Sequence, residues 1–78
     1  MPTILRHGPY RFYFYSNERN EPAHVHVQRD RCFAKFWLDN VALASSKHFP
    51  AHEIRFLRAT IEQHREHFLV RWNEHLYS

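Results

Sequence analysis

Residues 24–29 read His-Val-His-Val-Gln-Arg, and residues 32–38 read Cys-Phe-Ala-Lys-Phe-Trp-Leu, with only Asp30 and Arg31 between them. Side chains on an extended strand alternate between its two faces. Val25 and Val27 therefore share one face, and His24, His26 and Gln28 the other. In the second stretch Ala34, Phe36 and Leu38 alternate with Phe33, Lys35 and Trp37. A two-residue loop at Asp30-Arg31 sets Arg29 opposite Cys32, Gln28 opposite Phe33, His26 opposite Lys35 and His24 opposite Trp37. Val27 then faces Ala34 and Val25 faces Phe36, so apolar meets apolar. A slip of one residue mixes the faces. The expectation is a hairpin with one apolar face and one open face that presents His24, His26, Lys35 and Trp37.

The rest of the chain arranges around that hairpin. Thr3 to His7 is expected as a short strand ended by the turn signal Gly8-Pro9. Tyr10 to Tyr15 is a run of β-formers, with Tyr10, Phe12 and Phe14 as the better core face. Arg11, Tyr13 and Tyr15 are expected to reach solvent and extend the open face. Ser16 to Pro22 is polar and charged, and is expected as a loop. Val41 to Ser45 continues as a strand with Val41 and Leu43 inward, and Ser46 to Phe49 is a connection.

Pro50 stands at a first helical position and Glu53 in the first turn, both start signals. Beyond them Ile54, Leu57, Ile61, Phe68, Trp72 and Leu76 recur at spacings of three, four, seven, four and four, the period of an amphipathic helix. His64 fills the gap in that stripe as a core or rim histidine with a hydrogen-bond partner. Arg55, Arg58, Arg65 and Arg71, with Glu62 and Glu66, read as a solvated helix face. The fold class expected is α+β: an antiparallel sheet of three to four strands packed, on its Val25/Val27 face, against one long C-terminal helix. The 78 residues make a single domain, 1–78. So short a chain has a thin stability margin, which makes a homodimer or a partner protein an expected source of further burial.

Cys32 is the one cysteine, which excludes an internal disulfide and fits a reducing compartment. It falls on the Ala34 face and reads as an inert buried thiol. No apolar run approaches the roughly 20 residues of a membrane-spanning helix, and the N-terminus carries no charged-then-apolar leader. A cytoplasmic location is the expectation.

The formal charge is +3, and nine of the eleven basic residues are Arg. Arg's planar fork suits phosphates and carboxylates. A basic, aromatic-rich domain points to nucleic acid or to an acidic partner. Arg11, Tyr13, Tyr15 and Trp37 are the candidate nucleic-acid-binding residues, rings for base stacking beside cations for phosphate. They compete with an ordinary packing role for the same rings.

His24 and His26 lie roughly 6.5–7 Å apart on one face, from the strand rise. They suit a general base and acid, with Lys35 across the ladder to hold a phosphate or a developing negative charge. His24, His26 and Lys35 are therefore the candidate catalytic residues for metal-independent RNA cleavage. A metal shared by the two imidazoles is the competing chemistry, but a zinc site wants three or four ligands and no zinc-ligand spacing is present. We expect no metal and no cofactor. Against all of these stands a solvated strand or a protein interface.

Met-Pro-Thr-Ile-Leu-Arg at the start, Tyr10 to Ser16, Glu21-Pro-Ala-His-Val-His-Val27 and Ala34-Lys-Phe-Trp-Leu-Asp39 resemble a family of small bacterial proteins known as domain of unknown function 4160. The resemblance covers nearly the whole chain and is most specific at the His-x-His and Ala-Lys-Phe-Trp-Leu segments. His24, His26, Lys35 and Trp37 match its signature. The chain departs from it at His7, Ala23, the charged Asp30-Arg31 turn and Pro50. The resemblance implies one half of a two-protein operon similar to toxin–antitoxin pairs. A cognate small partner protein, antitoxin-like, and RNA are the partners expected on that ground, with no membrane. It implies no established activity.

Overall fold

A computed structural model describes residues 3–15 and 20–77. Five strands are found among them: β1 Thr3–His7, β2 Tyr10–Tyr13, β3 His24–Arg29, β4 Cys32–Trp37 and β5 Ala42–Lys47. They form one antiparallel sheet in the order β1-β2-β3-β4-β5, each strand pairing with the next in the chain. Two helices follow, α1 Ala51–Gln63 and α2 Arg65–Tyr77. The architecture is α+β. The sheet has more strands than the three to four expected, and the long helix is two.

The β3–β4 ladder has the register that the alternation demands. His24 pairs with Trp37, Val25 with Phe36, His26 with Lys35, Val27 with Ala34, Gln28 with Phe33 and Arg29 with Cys32. Asp30 opens the turn with φ +54°, a left-handed conformation for which Asp is among the more tolerant residues.

The Val25/Val27 face carries the core. Phe12, Phe14, Val25, Val27, Phe36, Leu57, Ile61 and Phe68 are fully buried in one cluster, with Trp72 nearly so. Leu57 and Ile61 come from α1, Phe68 and Trp72 from α2. Phe12 packs on Phe68 with ring centres 5.6 Å apart, and Phe14 meets Trp72 edge-on at 5.2 Å. Fully burying a large apolar side chain is worth about 1.5–3 kcal/mol. This cluster is therefore what holds the helices on the sheet.

Several local expectations are corrected. The last strand begins at Ala42 rather than Val41 and runs on through Ser46 and Lys47. Val41 is buried but sits in the preceding turn at φ +49°, a strained value for a β-branched residue. Pro50 is the N-cap of α1, its carbonyl accepting from the Glu53 and Ile54 amides. The helical stripe breaks at His64, which leaves the helical region (φ −107°, ψ 12°). Its amide reaches the Thr60 and Ile61 carbonyls, and the Phe68 amide bonds to its carbonyl, so the ladder resumes at once. The His64 ring bonds back to the Thr60 carbonyl at 2.9 Å and lies nearly parallel to Phe68. Arg65 is no solvated face residue. Its Nε and one terminal nitrogen donate to the Leu38 and Asp39 carbonyls at 2.6 and 3.1 Å, tying the start of α2 to the end of β4. Cys32 is half-buried, with its thiol 3.7 Å from the His48 carbonyl.

The α1 end of the sheet is fastened by charge. Arg29 grips Glu53 with two parallel bonds of 2.8 and 2.7 Å, and the Tyr10 hydroxyl donates to the same carboxylate at 2.5 Å. Two donors aimed at the ionised form, Arg29 first and then Tyr10, hold the Glu53 carboxyl below its ordinary range. Burial, and then the bond to Glu53, push the Tyr10 phenol up.

No helix is long and apolar enough to cross a membrane among the described residues.

Candidate functional site

The face away from the helices is built in rungs. Cross-strand partners line up across the sheet, with a register shift in the β4–β5 pairing between Lys35 and Phe36. One rung runs Arg11, Gln28, Phe33, Lys47, from β2 to β5. The next runs Tyr13, His26, Lys35, Ser45. The third holds His24, Trp37 and Ala42. All the residues singled out from the sequence except Tyr15, which lies just beyond β2, fall on these rungs.

They do not share one environment. His24 has no exposed surface. Its ring is covered by Trp72 at 4.9 Å, Trp37 at 5.7 Å and His26 at 5.1 Å, and its Nδ1–H donates to the Pro22 carbonyl at 2.8 Å. The expected open pair of imidazoles is therefore corrected. The strand does place His24 opposite the valines, but Trp72 of α2 packs against its ring and helps to enclose it. The ring so enclosed presents no surface to solvent.

Tyr13 is likewise corrected. Alternation along β2 points it to solvent, yet it is 2% exposed. Its ring lies almost parallel to His26 (23°, 5.5 Å), meets Tyr15 edge-on at 5.3 Å and is capped by the Arg11 guanidinium at 4.4 Å. It supports the face and offers no free plane for a base. Arg11 also donates to the Thr3 hydroxyl at 2.7 Å. Tyr15 is 39% exposed and touches His26 edge-on at 4.4 Å.

Lys35 and Trp37 are half-buried neighbours on β4, with the ammonium 4.6 Å from the indole centre. The same ammonium pairs with the Glu21 carboxylate at 2.5 Å. Desolvated charge on an aromatic face and a close carboxylate fix Lys35 in place.

Between β2 and β5 this face sinks into a cleft of about 340 Å³, lined by Tyr13, Tyr15, His26, Phe33, Ala34, Lys35 and residues 45–47 of β5. Phe33 and Lys47 were not singled out in the sequence. Phe33 shows there only as a ring of the Lys35/Trp37 parity. Lys47 was hidden because polar Ser45-Ser46-Lys47 gives no strand period. In the fold Phe33 is 38% exposed beside Lys47, its cross-strand partner. The structure thus brings together His26, Lys35, Tyr15, Phe33 and Lys47, with the buried Tyr13 in the same lining and the buried His24 against His26.

No group of three or more His, Cys, Asp or Glu side chains placed to hold a metal ion occurs among the described residues. The chemistry on offer is cationic and aromatic: two ammonium groups, one imidazole, and two rings with open surface.

A family model for a domain of unknown function matches residues 10–73, a span from the first residue of β2 into α2. The chain belongs to the family described as domain of unknown function 4160. The matched span of the 4160 domain includes every residue of the cleft, all of α1 and α2 as far as Asn73. No curated protein and no solved structure matches the chain.

Proposed function

We propose that this chain is a module that binds single-stranded RNA on its open sheet face, without cleaving it through a His24/His26 pair. The observation that carries this is the cleft itself, where Phe33 and Tyr15 keep more than a third of their surface open beside Lys35 and Lys47. Exposed rings stack on bases whatever their sequence, and ammonium groups hold the phosphates between them. Unpaired RNA can splay its bases onto such a surface, whereas a duplex cannot. The cleft lies at the low end of the roughly 300–1,000 Å³ of small-ligand sites, room for one unpaired nucleotide. Arg11 at the far end of the Phe33 rung and the basic sequence pI of about 9.4 favour the same polyanion.

A cognate small partner protein, in a toxin–antitoxin-like pair, belongs to the same proposal and rests on the family resemblance. The buried His24 speaks against acid–base catalysis by that pair, so any toxic effect is assigned to sequestering RNA.

Fluorescence anisotropy with a labelled unstructured RNA tests the binding. Three phosphate contacts, from Arg11, Lys35 and Lys47, give a log–log salt slope of about −2. Equal affinity for a hairpin duplex, or a salt slope near zero, refutes it.

A further inference from the structure

Phe33 and Lys47 form one cross-strand pair on the open face, and Lys35 and Ser45 the next. Lys35 and Lys47 are thus diagonal neighbours across the β4–β5 ladder. Such neighbours have Cα atoms about 7–8 Å apart, within mutual reach of long side chains. Two ammonium groups so placed repel each other. Among the described residues one counter-charge, Glu21, is supplied, and it sits on Lys35. Lys47 has no ion-pair partner among the described residues. The cleft therefore keeps an unmet demand for negative charge.

Phe33 is the second anomaly. It lies on an interior strand of the sheet, yet its ring is 38% exposed and stays outside the buried cluster. The fold leaves more than a third of that side chain uncovered. A flat ligand covering it would gain the apolar burial that the fold leaves unused.

We infer that this cleft is a site for one nucleoside monophosphate unit, with the phosphate held between Lys35 and Lys47 and the base lying on Phe33. This rests on the RNA-binding reading of the same face and narrows it to a single nucleotide with its phosphate. The Ser45 hydroxyl, opposite Lys35, is placed to donate to a phosphate oxygen. Glu21 is the chain's own stand-in for that phosphate, and the ligand must displace it from Lys35. Its loss therefore strengthens binding, the reverse of what losing a ligand contact does.

Titration calorimetry of the full chain separates the possibilities, using adenosine 5′-monophosphate, adenosine, inorganic phosphate and a 5′-phosphorylated unstructured RNA hexamer. The monophosphate binds, and adenosine and phosphate alone each bind at least about tenfold more weakly. Phe33→Ala and Lys47→Ala, both at exposed positions, each lose at least about tenfold while keeping the wild-type melting temperature within about 3 °C. Glu21→Gln gains about two- to fivefold, the worth of an exposed ion pair. A silent monophosphate with a binding hexamer overturns the single-nucleotide site and leaves the RNA reading standing. A silent hexamer with a binding monophosphate keeps the site and ends the RNA reading. Adenosine or phosphate binding as tightly as the monophosphate, or Glu21→Gln binding more weakly, overturns the assignment.

Discussion

Replacing His24 by alanine separates a structural ring from a reactive one. The imidazole is fully buried among His26, Trp37 and Trp72. Truncating a buried side chain of this size leaves a cavity and costs about 2–5 kcal/mol. The Pro22 carbonyl also loses its donor, and an unmet buried acceptor costs about 1–3 kcal/mol unless water reaches it. Pro22 is exposed, so water does reach it, and the cavity dominates. The net expectation is about 3 kcal/mol of lost stability. For a domain of this length 1 kcal/mol moves the melting temperature by about 4–8 °C, so the variant should melt about 12–24 °C lower. His26→Ala removes a half-buried ring held by edge and stacking contacts, and should cost about 1 kcal/mol. Circular dichroism melts of the two variants, run side by side, make the comparison. Equal stability of His24→Ala and wild type would refute the enclosure of His24 by Trp72. A double alanine variant at 24 and 26 would be poorly folded, and loss of function in it would say nothing about catalysis.

Other outcomes follow from the same contacts. Glu53 titrates below its ordinary 4.5 because Arg29 and Tyr10 bond its ionised form, so its contribution to stability is present above pH 4.5 and fades as pH falls below it. Tyr10 is raised above 10.0, so its contribution holds below pH 10 and fades above it; melting temperature against pH should show both shoulders, and Glu53→Gln should flatten the acid one. Arg65→Ala removes two bonds from a charged donor to the Leu38 and Asp39 carbonyls and should cost about 1.5–3 kcal/mol by urea titration, with Arg65→Lys restoring only part. Asp30→Gly should leave stability within about 1 kcal/mol of wild type, since relief of a left-handed φ that Asp tolerates is offset by glycine's extra chain entropy of about 0.5–1 kcal/mol and by loss of the exposed Arg29–Asp30 pair; a urea-derived change well beyond about 1 kcal/mol would contradict this.

The hairpin was legible because two alternating runs flank a two-residue turn. Only one register keeps Val25, Val27, Ala34 and Phe36 on the same side. The helical stripe was legible for the same reason, as Leu57, Ile61, Phe68 and Trp72 recur at the helical period and are buried together. What escaped was set by contacts between distant residues. Nothing in His-Val-His-Val announces that Trp72 will cover His24, because alternation assigns a face and not what lies above it. Tyr13 follows the same logic, buried on the open face by Arg11, His26 and Tyr15. The break at His64 carries no glycine or proline to mark it. The last strand hid its end because an edge strand with exposed serines has no apolar period to read. The Arg29–Glu53–Tyr10 clamp joins three elements through polar atoms, which periodicity does not register.

The central claim is that ligand meets this protein on β4 and β5 of the open face. Amide chemical-shift mapping of the ¹⁵N-labelled chain during titration with an unstructured RNA hexamer tests it most directly. The largest changes should fall on Phe33, Lys35, Ser45 and Lys47, with Leu57, Ile61 and Phe68 beneath the sheet unmoved. Changes concentrated on the two helices, or no change at a large excess of RNA, would contradict it.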